Sequence, residues 1–108
     1  MKTYYSDFIG HCARYYARCV CGHVTPDFAS DAERGNYMAC DAALRTFGAA
    51  ESRIILEVYA HMLPGSVVVP SISCTVRRIA EQHKTTPESV WKLLSTFERR
   101  AAKKRGLL

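Results

Sequence analysis

Ile79-Ala80-Glu81-Gln82-His83-Lys84-Thr85-Thr86-Pro87-Glu88-Ser89-Val90 is the stretch that decides the fold. It reads as the end of one helix, a short polar turn and the start of another. Thr86 is a good N-cap, because its hydroxyl can accept an orphan backbone N–H from the first turn. Pro87 follows at the first helical position, where its missing donor is not needed and its fixed φ suits the helix. Glu88 and Ser89 complete an acidic, polar first turn that complements the helix dipole. Two helices joined by so tight a turn form the unit that lets a second helix enter the major groove of DNA.

Downstream, the pattern predicts a helix from Pro87 to about Lys104 with well-separated faces. Val90, Leu93, Leu94, Phe97 and Ala101 lie on one side; Glu88, Lys92, Ser95, Arg99 and Lys103 lie on the other. Upstream, a helix from about Ser71 to His83 buries Ile72, Val76, Ile79 and Ala80. Val67-Val68-Val69 before Pro70 is strand-like but short and alone, so an extended linker is expected there. Another helix runs from about Ala50 to Met62, with Ile54, Ile55, Val58, Tyr59 and Met62 inward and Pro64-Gly65 as its closing turn.

The N-terminal part predicts two more helices. Ser30-Asp31-Ala32-Glu33 has the capping-box form, followed by Tyr37, Cys40, Leu44 and Phe47 at helical spacing and Gly48 as a stop. Before it, Tyr4 to Val20 reads as strongly amphipathic. Tyr4, Tyr5, Phe8, Ile9, Cys12, Tyr15, Tyr16 and Cys19 share one broad arc; Ser6, Asp7, Gly10, Arg14, Ala17 and Arg18 share the other. The expected architecture is all-α, about five helices in one domain, with an N-terminal pair over residues 1–48 and a helix-turn-helix portion over 49–108.

Charge is divided unevenly along the chain. Residues 1–76 hold six Lys/Arg against seven Asp/Glu, a balance of −1, whereas residues 77–108 hold nine against three, a balance of +6. Positive charge concentrated on and after a helix-turn-helix points to an anionic partner, duplex DNA above all. The residues expected to face it are Arg77, Arg78, Lys84, Thr86, Glu88, Lys92, Ser95, Arg99, Arg100, Lys103, Lys104 and Arg105.

Residues 79–90 resemble the helix-turn-helix in region 4 of bacterial sigma factors. That pattern runs roughly I-A-E-x-x-G-V-S-x-x-x-V, and Ile79, Ala80, Glu81, Thr86 and Val90 match at identical spacing. The segment from Ala43-Leu44-Arg45-Thr46-Phe47 to Ile54-Ile55-Leu56 and Tyr59 also looks like that region's leading helices, so the resemblance covers about residues 43–105. Small proteins of this build, ending in a basic helix like Ala101-Ala102-Lys103-Lys104-Arg105-Gly106, look like products of phages and mobile elements in Gram-positive bacteria. The resemblance implies a DNA-binding transcriptional regulator. It departs at the turn, where His83, Lys84 and Thr85 stand for the usual Leu, Gly and Val. It departs again at Pro87 and Trp91, where members often carry Arg. Neither residue can make a bidentate contact to guanine, while phosphate binding through Lys92, Arg99, Arg100, Lys103, Lys104 and Arg105 is untouched by the change. A module of the same fold that docks on a host protein, such as RNA polymerase or a defence nuclease, is the second reading.

Other chemistry is poorly represented. His11, Cys12, Cys19, Cys21 and His23 could offer zinc donors, but C-x-C-x-H lacks the usual C-x₂₋₄-C hook, and Cys12 and Cys19 fall on the apolar arc. Buried free thiols are the simpler expectation, so no metal and no cofactor is anticipated. No nucleophile elbow, glycine-rich phosphate loop or paired carboxylates are visible, which argues against an enzyme. MKTYYSDFIG breaks its apolar character at Ser6 and Asp7, unlike a signal peptide, and no stretch approaches the roughly 18 apolar residues that span a bilayer. A cytoplasmic protein with reduced cysteines is expected, with homodimerisation left open.

Overall fold

Capping side chains open two of the helices. In the computed structural model, which describes residues 5–22, 25–60 and 72–107, Ser30 Oγ accepts the Glu33 N–H and Thr86 Oγ1 accepts the Ser89 N–H at 3.2 Å. Those caps begin α2 (Asp31–Leu44) and α5 (Pro87–Arg105); the others are α1 (Ser6–Val20), α3 (Ala49–Ala60) and α4 (Ile72–Gln82). Among the described residues there is no strand, and the fold is all-α. The capping box at α2 closes one residue early, with the Glu33 carboxylate taking the Ala29 N–H instead of that of Ser30. Gly106, at φ 85°, ends α5 in the left-handed conformation, and the Leu107 N–H returns to the Ala102 carbonyl at 2.8 Å.

One buried cluster draws on all five helices. Ile9, Ala13 and Tyr16 of α1 meet Cys40 and Ala43 of α2, Ile55, Val58 and Tyr59 of α3, Val76, Ile79 and Ala80 of α4, and Val90, Phe97 and Ala101 of α5. The long α5 is the shared support, packed against each of the other four. Along its C-terminal half lies α2. The start of α2 adjoins the end of α5 through Asn36 and Arg105, and the residues after α2 adjoin its middle through Thr46 and Arg100.

Three expectations from periodicity are corrected. Phe8 is 44% exposed and Ala17 only 1% exposed, so the buried face of α1 is rotated from the arc chosen by hydropathy alone. The arc is wide enough to allow either choice. With α2, α3 and α5 all packed on α1, the small side chains of Ala13 and Ala17 admit close approach, and Phe8 is left at the margin. The second correction is at Gly48, which does not stop α2. That helix ends at Leu44, and the Gly48 carbonyl instead accepts the Ser52 N–H at 2.9 Å, making it the first acceptor of α3. Third, Phe47 therefore lies beyond α2, where it packs against the core from the connection. Tyr4, His23, Met62, Pro64-Gly65, the Val67–Val69 run, Pro70, Ser71 and the Ile72 side chain lie outside the described residues.

Candidate nucleic-acid interface

The faces of α5 divide as its sequence requires. Val90, Leu94, Phe97 and Ala101 are buried, while Glu88, Lys92, Ser95, Arg99 and Lys103 are all exposed. At ~1.5 Å per residue the stripe from Lys92 to Lys103 is about 16 Å long. That is enough to meet several phosphates, because duplex DNA carries one charge per ~1.7 Å of its axis. Lys104 is exposed beside it.

Glu98 shows how the stripe stays basic. It is the only acid in the C-terminal half of α5, and it turns inward. Its Oε1 accepts the Ser6 hydroxyl at 2.6 Å and its Oε2 accepts the Tyr59 hydroxyl at 2.5 Å, so one carboxylate ties α5 to both α1 and α3. Burial, with the carboxylate beside it, raises the Tyr59 phenol well above its ordinary range and keeps it a donor. With that acid withdrawn, Lys92, Arg99, Lys103 and Lys104 face solvent opposed on their own helix only by Glu88.

Two of the expected DNA-facing arginines are committed to the fold. Arg100 Nη1 donates to Thr46 Oγ1 at 2.8 Å, and its guanidinium stacks over the Phe47 ring, 4.5 Å from the centroid. Arg105 Nε donates to Asn36 Oδ1 at 2.6 Å, and its guanidinium lies over Gly35, where an added Cβ would meet it at an ordinary van der Waals distance of 3.6 Å. Thr86, too, acts first on its own helix as the cap. None of these partners could be read from periodicity, since Asn36, Thr46 and Ser6 lie 54 to 92 residues from the groups they hold.

The connection between α4 and α5 adds positive charge at one end. Lys84 is exposed and holds φ 55°, the left-handed conformation, at the position where the resembled pattern carries glycine. His83 Nε2 lies 2.9 Å from Glu57 Oε2, fastening the turn to α3, and Arg53 Nε lies 3.6 Å from the other oxygen of Glu57. The turn is thus tied to α3 by a polar anchor, with Lys84 in the left-handed conformation beside it. Arg77 and Arg78 are exposed on α4, as is Glu81.

Among the described residues the cysteines join no group that could hold a metal ion. All five are free; Cys12, Cys19 and Cys40 are buried, Cys21 and Cys74 exposed. Burial, then Cys12 and Asp41 nearby, push the Cys40 thiol up to about 12, which leaves it protonated and unreactive at neutral pH. Among the described residues no group of His, Cys, Asp and Glu could hold a metal ion, and no helix is long and apolar enough to cross a membrane.

No protein-family model, curated protein or solved structure matches the chain. The functional reading is accordingly built on charge, exposure and backbone geometry.

Proposed function

We propose that this chain is a DNA-binding helix-turn-helix protein, a transcriptional regulator of phage or mobile-element type similar to region 4 of sigma factors, with α4-turn-α5 as its motif and α5 as the helix laid against duplex DNA. The observation that carries the reading is the continuous exposed stripe Lys92, Ser95, Arg99 and Lys103, with Glu98 withdrawn beneath it. In this reading Arg99, Lys103 and Lys104 neutralise phosphates, which positions the protein without specifying sequence. Ser95 and Lys92 stand where the middle of the helix meets base edges. Arg77, Arg78 and Lys84 flank the stripe and extend the electrostatic footprint. The protein needs no cofactor, and it acts in the cytoplasm as a monomer or a homodimer.

The test is a salt titration of binding to random duplex DNA, together with selection from a randomised duplex pool. Affinity should fall steeply with salt, since displaced counterions drive phosphate binding. Lys92→Ala with Ser95→Ala should leave the melting temperature unchanged and remove enrichment of any preferred sequence. Tight binding indifferent to salt, or no binding at all, sinks the proposal.

One observation favours a second reading. Trp91, in the first turns of α5, is 39% exposed beside the stripe, and exposed tryptophan is enriched at protein interfaces. Under it, the same surface docks on a host protein such as RNA polymerase, with Trp91 as the apolar anchor. Failure of the wild-type protein to enrich any duplex, with Trp91→Ala abolishing capture by RNA polymerase, would decide for that module.

A further inference from the structure

A cavity of about 290 Å³ lies between α1, the connection that follows it and α2, with His11, Arg14, Arg18, Tyr15, Asp27 and Tyr37 among its walls, and Glu33 beside them. Its volume is at the low end of the ~300–1,000 Å³ typical of small-molecule sites. Arg18 gives it direction. The Nε of Arg18 is fully buried and has no hydrogen-bond partner. Arg18 as a whole is only half-buried, so it is the rest of its side chain, with the guanidinium's charge, that meets the cavity. Arg14, one turn earlier on α1, makes a single long bond to the Gly10 carbonyl at 3.4 Å. Among the described residues neither guanidinium is paired with a carboxylate, although Asp27 and Glu33 line the same cavity.

The two signs of charge come from different elements. Arg14 and Arg18 belong to α1, whereas Asp27 belongs to the connection and Glu33 to α2. A simple anion would satisfy the guanidinium side and be repelled by the carboxylate side; a simple cation would meet the reverse. Aromatic rings complete the walls. Tyr37 is held edge-on between Tyr16 at 4.9 Å and Phe28 at 5.3 Å, and the Tyr15 hydroxyl is fixed by the Asp27 N–H at 2.8 Å and the Asp27 carbonyl at 3.1 Å.

We infer that this cavity is a binding site for a small zwitterion of the amino-acid type. Its carboxylate meets Arg18 and Arg14, its ammonium faces Asp27 and Glu33, and its side chain lies against the rings of Tyr15 and Tyr37. The inference is independent of the DNA-binding reading, because the cavity shares no residue with the stripe on α5.

Thermal denaturation of the full chain tests it, with each common amino acid compared with acetate, methylammonium and inorganic phosphate at equal concentration. At least one amino acid should raise the melting temperature by several degrees, on the order of 5 °C at about ten times its Kd, while acetate and methylammonium leave it unchanged. Arg18→Met should abolish the shift without unfolding the protein, since it removes an unpaired buried N–H. Asp27→Asn keeps the backbone bonds to Tyr15 and should weaken affinity for the same amino acid about tenfold, the scale of one charge-assisted hydrogen bond. The inference is overturned if no amino acid shifts the transition. It is equally overturned if acetate or phosphate shifts it as much, or if the shift persists in both variants.

Discussion

Arg99 and Arg100 are neighbours on one helix, and they do different work. Arg99 projects from the outward stripe of α5 with Lys92 and Lys103. Arg100 is turned by one residue, about 100°, onto the residues just after α2, where it binds Thr46 and covers Phe47. Arg105 repeats the inward pattern against Asn36. Net charge therefore overstates the free basic surface. Of the cations in the last third of the chain, some hold helices together and others are available to a partner, and the helical turn decides which. Glu98 works in the opposite sense, since burying an acid enlarges the positive surface.

The largest expected effect separates the two classes on the outward side. Arg99→Ala with Lys103→Ala should reduce the magnitude of the salt slope for random duplex DNA by about 2, at ~0.9 for each phosphate no longer neutralised. Because neither residue supports the core, stability should change by less than the ~0.5 kcal/mol typical of surface substitutions. Equal slopes for variant and wild type would mean that DNA meets a different face, and that Arg99 is no freer for a partner than Arg100.

A smaller effect belongs to the inward side. Arg100→Ala removes one charge-assisted hydrogen bond and one cation–π interaction, both near the surface, and should cost about 1–2 kcal/mol of stability. Its effect on the salt slope should be well below that of Arg99→Ala alone. Chemical denaturation paired with the salt titration measures both quantities. Should Arg100→Ala change the slope as much as Arg99→Ala while leaving stability intact, the guanidinium faces DNA and the docking on Phe47 is not its role.

Much of this division was legible because it is local. The separation of Val90, Leu94, Phe97 and Ala101 from Lys92, Ser95, Arg99 and Lys103 follows from spacing alone, and Ser30 and Thr86 announce their helices by capping chemistry. What was illegible depends on partners distant in sequence. Glu98 turns inward because Ser6 and Tyr59 are there to donate to it, and neither can be inferred from the α5 pattern. Arg100 and Arg105 are indistinguishable from Arg99 until α2 is seen lying along the helix. The rotation of α1 toward Ala13 and Ala17 is of the same kind, since a wide apolar arc does not say which of its edges three packing neighbours will use.

The smallest expected effect comes from Lys84, where outward charge and backbone cost meet in one residue. Its φ of 55° is a conformation that L-residues adopt at a penalty of roughly 1–2 kcal/mol and glycine adopts freely. Glycine also loses more chain entropy on folding, so Lys84→Gly should stabilise the protein by only about 0.5–1 kcal/mol net. The same change deletes a cation beside the stripe and should lower the magnitude of the DNA salt slope by at most ~0.9. Stability and binding thus move in opposite directions, unlike the loss at Arg100 or the stability-neutral change at Arg99. Lys84→Ala separates the causes. It deletes the same charge but keeps a Cβ, so it should match the glycine variant in DNA binding and show none of its gain in stability. Equal melting temperatures for the two variants would mean that residue 84 is not held in the left-handed conformation, and that the turn is shaped by the His83–Glu57 anchor alone.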